Sequence, residues 1–293
     1  MPNVFHVSKT LQLNDVSLAY QDMGQGDPVV LVHGGVSDLR TWTHQIPALT
    51  GKYRTIAYSR RYALPNTKIK EGANDPIDPH VDDLARLIHM LEVGPAHIVG
   101  HSWGGLIVFL LAMQRPELFR SMTLIEPPAL TLFVDVPPKI SQVLLLLLRA
   151  PKTAVAILKL GALVMGPAEK AFRRGDDKAA IELFGKGVLG PERFAQLSPE
   201  RYAQVWDNRA TDKAQMIGHA FPPLDRAEIS RIQVPTLLLI GSESPAAFRR
   251  LGFALHDLLP HAELKIVDGA SHIVHEDMPE RTNFLLLDFF NKQ

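Results

Sequence analysis

With 293 residues, 46% of them hydrophobic, the chain is long enough for one large domain, or one domain carrying a sizeable insertion, around a substantial buried core. Its 31 Lys+Arg balance 31 Asp+Glu, for a formal net charge of +0, and no block of like charge marks a nucleic-acid groove or a polybasic membrane anchor, so a small molecule is the expected partner. The absence of cysteine excludes disulfides, thiolate metal sites and a cysteine nucleophile together, and no oxidising compartment is needed.

The amino-terminal stretch MPNVFHVSKTLQLND lacks the basic stretch and apolar run of a signal peptide, and a cytoplasmic location is expected. Residues 10–13 and 16–20 flank Asn14-Asp15 and read as an opening hairpin. Short apolar runs follow at residues 28–32, 55–58, 97–99, 122–125, 236–240 and 264–267, most of them trailed by longer segments with helical spacing. That alternation predicts an α/β fold with a mostly parallel sheet and crossover helices, and near-continuous Val/Ile/Leu fits strands buried on both faces. Between the fourth and fifth of these runs strand signals stop. Residues 127–233 are predicted to be an inserted helical cap, with breaks at Pro151, Gly166-Pro167, Gly190-Pro191 and Pro222-Pro223. The core is then discontinuous, residues 1–126 plus 234–293. The greasiest segment, residues 143–165, is interrupted by Arg149, Pro151, Lys152 and Lys159, so it is not a membrane span.

Gly100-His101-Ser102-Trp103-Gly104 matches G-x-S-x-G, between a strand-like run and the apolar helical segment 106–113. A strand that turns into a helix within a residue or two strains the serine backbone, and only glycines on both sides allow the chains to approach so closely. The hydroxyl then projects above the sheet at a helix amino terminus, as a nucleophile requires.

Taken with "VVLVHGG", "PTLLLIG" and "GASHIVHEDMPE", in this order around "VGHSWGGL", the chain resembles an α/β-hydrolase with a helical cap over nearly its whole length. The resemblance implies a serine hydrolase free of metal and cofactor, with Ser102 as nucleophile and His272, after the last strand, as base. It implies an oxyanion hole built from the backbone N–H groups of Trp103 and Gly35, with Val36 the fallback for the second. His33, Gly34, Val36, His101, Arg60, Tyr62 and His275 are further candidates for contact with substrate; His275 reads as packing near the site, and an ion pair is the stronger expectation for the Arg60-Arg61 segment. The chain departs from the family in three places. Gly269 stands two positions before the residue preceding His272, where the family more often has its glycine. An Arg-Gly-x-Gly turn common in the family is replaced by Arg60-Arg61-Tyr62-Ala63. The third departure concerns the acid.

In the family the acid is commonly an aspartate in a G-x-x-D turn after the strand at residues 236–240, but this chain reads Gly241-Ser242-Glu243-Ser244-Pro245. Glu243 stands one position early. Glu126 directly follows the run at residues 122–125, where some members, haloalkane dehalogenases among them, carry their acid, and Pro127-Pro128 would fix its direction. Glu126 is the preferred acid and Glu243 the alternative.

The apolar stretches "QVLLLLLRA" and "TAVAILKLGALVMG" exceed what one buried helix face needs. They read as helices packed on each other and on the core, as an apolar wall above Ser102, or as an exposed patch for a homo-oligomer contact. The leading reading is hydrolysis of a carboxylic ester or lactone of a small, largely apolar substrate through an acyl-enzyme. A carbon–carbon bond hydrolase or haloperoxidase-like perhydrolase on the same residues is the alternative, and a ligand-binding receptor with slow or no turnover the alternative of another class. HGG without a following proline argues against a proline iminopeptidase.

Overall fold

The computed structural model describes residues 8–218 and 221–293. Eight strands form one sheet: β1 Lys9–Gln12, β2 Ser17–Met23, β3 Pro28–Val32, β4 Arg54–Tyr58, β5 Ala96–His101, β6 Phe119–Ile125, β7 Thr236–Gly241 and β8 Ala262–Val267, in the spatial order β1-β2-β4-β3-β5-β6-β7-β8. The opening hairpin β1–β2 is antiparallel, as is β2 against β4; the remaining pairings are parallel. Each apolar run predicted from sequence lies within one of these strands, apart from Leu13, which follows β1, and Val16, which precedes β2.

The reason is visible in β3. Val30 and Val32 join a core cluster with Leu84, Leu87 and Phe109, while Val29 and Leu31 join another with Trp42, Leu49 and Leu286. Successive side chains point to opposite faces, so a strand covered on both sides must be apolar at every position. Helices Asp78–Met90, Trp103–Gln114 and Ala246–Leu258 contribute to the first layer, and Gln45–Leu49 and Pro279–Phe290 to the second.

The parallel register sets the site. Val32 pairs with Gly100, His101 with Ile125, and Ile125 with Leu239, so the residues that follow β3, β5, β6 and β7 emerge along one carboxyl edge. In open α/β sheets this is the edge that binds ligands.

Residues 127–233 contribute no strand among the described residues. Gly190, at φ +88°, separates helix Asp177–Leu189 from helix Pro191–Ala195, and Pro151 opens a new helix directly after Ile140–Arg149, as the sequence predicts. The expected break at Gly166-Pro167 is different. Helix Pro151–Leu160 runs through a π-helical turn, Gly161–Met165, directly into helix Gly166–Arg173. Pro167 lacks an N–H and its ring crowds the carbonyl four residues back. The wider turn before it, with the Gly166 N–H donating to the Gly161 carbonyl five residues earlier, accommodates the ring without ending the helix.

Polar contacts tie these helices to the sheet's loops. Asp38, buried, accepts from Arg40 (2.7 Å), Gln204 (2.9 Å) and Asn208 (2.7 Å), and Arg40 reaches Asp207 at 2.9 Å. Burial pushes the Asp38 carboxyl up, but the bonds from Arg40 and Asn208 outweigh it and hold the group below its usual range. Arg201 pairs with Glu276 at 2.7 Å. Helix Ile140–Arg149 differs: it buries Leu146 and leaves Leu144, Leu145, Leu147 and Leu148 exposed. Among the described residues no helix is long and apolar enough to cross a membrane.

Candidate active site

Ser102 sits between β5 and helix Trp103–Gln114 at φ +49°, ψ −119°, a backbone conformation rare for an L residue and held only where the surroundings dictate it. A Cβ on Gly100 would stand 2.6 Å from the Gly104 carbonyl oxygen, and one on Gly104 2.3 Å from that of His33. Glycine is therefore obligatory on both sides, for the close approach the sequence implies. The Ser102 N–H donates to the Ile125 carbonyl at 2.8 Å, which locks the turn to β6.

The loop after β8 brings His272 over this turn. Its Nε2 lies 3.0 Å from Ser102 Oγ and its Nδ1 2.7 Å from Glu126 Oε2. A carboxylate at Nδ1 keeps the proton there, leaving Nε2 as acceptor for the serine hydroxyl. Glu126, also at positive φ (+49°), is buried, and its second oxygen accepts from the Gly241 N–H at 2.8 Å and from the Ser244 hydroxyl. Ser244 occupies the turn where the family's aspartate is expected, and it now holds the glutamate that arrives from the neighbouring strand. Glu243 is exposed and bonds Arg193 at 2.8 Å, turned away from His272. The His272 loop is fixed in turn by Asp277, which accepts from the Ser271 N–H (2.7 Å) and hydroxyl (2.6 Å).

The remaining candidates divide. Gly35, Val36, His101 and Trp103 line the cavity above Ser102. A Cβ on Gly34 would stand 3.2 Å from Ser102 Cβ, so this loop abuts the nucleophile elbow. Trp103 opens its helix, where the first N–H groups lack intrahelical acceptors and point toward a ligand. His101 is buried; its Nε2 donates to the His272 carbonyl at 3.0 Å, and burial holds its pKa well below the usual histidine value.

His33, Gly34, Arg60, Tyr62 and His275 are not among the cavity's lining residues, against the expectation of substrate contact. His33 accepts from the Arg60 N–H at 2.9 Å, while the Arg60 guanidinium donates to the carbonyls of His33 (3.0 Å) and Gly34 (2.8 Å). These two residues brace the HGG loop from beneath. Arg61 forms the ion pair, with both oxygens of Asp83 at 2.7 Å. Tyr62, at φ +66°, follows in the same turn. His275 is fully buried against Trp42, with ring centroids 4.5 Å apart, and burial lowers its pKa to about 4.

The cavity is otherwise lined by apolar side chains, among them Leu130, Leu160, Met165, Val188, Phe221 and Phe248. Phe248 packs on the His272 ring (centroids 4.1 Å) and Phe221 meets Trp103 edge-on (5.1 Å). The apolar stretch "TAVAILKLGALVMG" thus supplies part of this wall, whereas the leucines of "QVLLLLLRA" do not reach it. The sequence reading missed Ser244, Phe248 and Asp212, the last a cavity-lining carboxyl from helix Arg209–Ile217. No sequence signal singles them out, because Phe248 and Asp212 depend on which helix face meets the cavity, and Ser244 on the turn after β7 lying beside Glu126.

The alpha/beta hydrolase fold model matches residues 27–279, so the chain belongs to that family and is a hydrolase enzyme. Its relatives span several chemistries. The chain is 27% identical to 3-oxoadipate enol-lactonase 2 of Acinetobacter baylyi (strain ATCC 33305 / BD413 / ADP1), over 96% of this chain and 95% of that protein. It is 26% identical to the non-heme chloroperoxidase CPO-A1 of Kitasatospora aureofaciens, over 94% and 97%. Among solved structures it is similar to a thermophilic esterase from Thermogutta terrifontis, with a TM-score of 0.73, 22% identity, and 94% of each chain covered.

Proposed function

We propose that the protein is a serine hydrolase that cleaves a carboxylic ester or lactone of a small, largely apolar substrate through an acyl-enzyme. The observation that carries this reading is the continuous pair of hydrogen bonds from Ser102 through His272 to Glu126, at the floor of an apolar cavity. Ser102 Oγ attacks the carbonyl carbon while His272 Nε2 takes its proton; Glu126 orients the ring and stabilises the imidazolium. The oxyanion is received by the amides of Trp103 and Gly35. His272 then protonates the departing alkoxide, and water, activated by the same nitrogen, releases the acid and restores the serine. Residues 127–233 act as a cap between core segments 1–126 and 234–293, and exclude bulk water from the acyl-enzyme.

A fluorophosphonate probe tests the reading. One adduct by intact mass on the wild type, absent from Ser102→Ala, followed by turnover of p-nitrophenyl esters or lactones, is the expected result. A wild-type protein that folds by circular dichroism but takes no adduct and turns over no ester sinks it. The likeness to a chloroperoxidase favours one second reading, in which hydrogen peroxide replaces water as acceptor of the acyl group. Peracid formed in competition with acid, when peroxide is added to acyl donor and enzyme, distinguishes the two.

A further inference from the structure

Among the described residues lining the cavity, Asp212 is the one carboxyl group. It projects from helix Arg209–Ile217, only 6% exposed, and its Oδ2 has no hydrogen-bond partner. Its other oxygen lies 3.1 Å from where a Cβ on Gly35 would stand, so the carboxyl rests against the loop proposed to receive the oxyanion. Of the other polar liners, the Gln215 amide donates to Asp75 at 2.7 Å and Arg201 to Glu276 at 2.7 Å, whereas Trp103 Nε1 and His101 Nδ1, like Asp212 Oδ2, have no hydrogen-bond partner. A buried acid with an orphaned oxygen, its residue lining a largely apolar cavity, is costly to hold without a donor, and a ligand that brings one relieves that cost.

We propose that Asp212 is a specificity-determining residue that accepts a hydrogen bond from a hydroxyl on the acyl portion of the substrate, close to the scissile carbonyl. This rests on the esterase reading above and narrows it to short hydroxyacyl esters. A neutral donor fits better than an ammonium group. The buried Arg60 guanidinium already acts electrostatically on Asp212, so a substrate cation would meet a positive charge already in place. The position near Gly35 places the hydroxyl on the second or third carbon of the acyl chain. Burial also pushes the Asp212 carboxyl up to about 7, against the pull of Arg60, so that near neutrality both its neutral and its ionised forms are present and either accepts from a hydroxyl.

The test compares kcat/KM for p-nitrophenyl 2-hydroxybutyrate, 3-hydroxybutyrate and butyrate, using wild type and Asp212→Leu, with competent sites counted by fluorophosphonate adduct. Wild type is expected to favour one of the hydroxy esters over butyrate by about 10- to 100-fold, the worth of one buried hydrogen bond to a carboxyl group. In Asp212→Leu that ratio falls to about 1; being a ratio within one protein, it does not depend on how much of the variant folds. A wild type that takes the adduct yet shows no hydroxy-ester preference overturns the proposal without recourse to any variant, as does a labelled Asp212→Leu that keeps the preference. A wild type that takes no adduct and turns over no ester overturns the esterase reading itself, and the assignment of Asp212 with it.

Discussion

Glu126 accepts at both carboxylate oxygens, from His272 on one side and from Gly241 and Ser244 on the other. In Glu126→Gln either an amide NH₂ faces His272 Nδ1, which reverses the imidazole tautomer, or it faces the Gly241 and Ser244 donors. Turnover of a p-nitrophenyl ester is expected to fall by about 10³- to 10⁴-fold in kcat with the fold retained by circular dichroism. Glu243→Gln, which removes a half-exposed partner of Arg193, is expected to stay within about twofold of wild type. Equal losses in the two variants would refute the assignment of the acid. Ser244→Ala removes one donor and leaves Gly241, and a loss of about 10-fold in kcat is expected, roughly one hydrogen bond to a charged acceptor. At this scale the sequence was legible where a motif fixes the backbone, at Ser102 and His272. Glu126 was legible as the residue after a strand end. Ser244 was not, because its role exists only once β6 and β7 are neighbours, a pairing that no local pattern encodes.

The helices inserted after β6 meet the sheet's loops through Asp38, whose carboxylate binds Arg40, Gln204 and Asn208 together. Asp38→Ala leaves two buried amides and a guanidinium without their acceptor, and a loss of about 3 kcal/mol in urea unfolding is expected, with the midpoint shifted and the slope little changed. The folded carboxyl titrates below its ordinary value of 3.8, so its contribution is fully present above about pH 4 and is lost as pH falls through the lower folded value. Wild type and Asp38→Ala should therefore differ clearly at pH 7 and converge toward pH 2; a constant gap would show that the carboxylate charge is not what binds. Elements whose period is local were readable in advance, down to the glycine that separates the helices at residue 190. Gly166-Pro167 was misread as a break, because proline excludes one hydrogen-bond pattern without dictating that the helix end, and a π-helical turn satisfies the same constraint.

For the whole molecule, the mostly parallel sheet was legible because strands buried on both faces leave continuous apolar runs, and the helical segments between them are the crossovers that parallel strands require; the order of the strands was not. The cavity was not, since its wall is assembled from one face of each of several helices, and helical periodicity identifies an apolar face without saying which neighbour it meets. Asp212 marks that limit: on an amphipathic helix it reads as a solvated carboxylate, yet it is buried over the site. That placement has a global consequence. Burial, opposed in part by Arg60, raises its pKa from 3.8 to about 7 in the folded protein, so between these values the folded state holds a proton that the unfolded state has released. The unfolded state then binds fewer protons, and stability declines as pH rises from about 4 to about 7 and stays reduced above that. Asp212→Asn keeps the shape and removes the titration. Its melting temperature should match or fall slightly below that of wild type at pH 5 and exceed it by about 2–5 °C at pH 8.5, read by calorimetry at fixed ionic strength. An Asp212→Asn difference that is flat from pH 5 to pH 8.5 would mean that the carboxyl is ionised throughout, and that Arg60 compensates its burial in full.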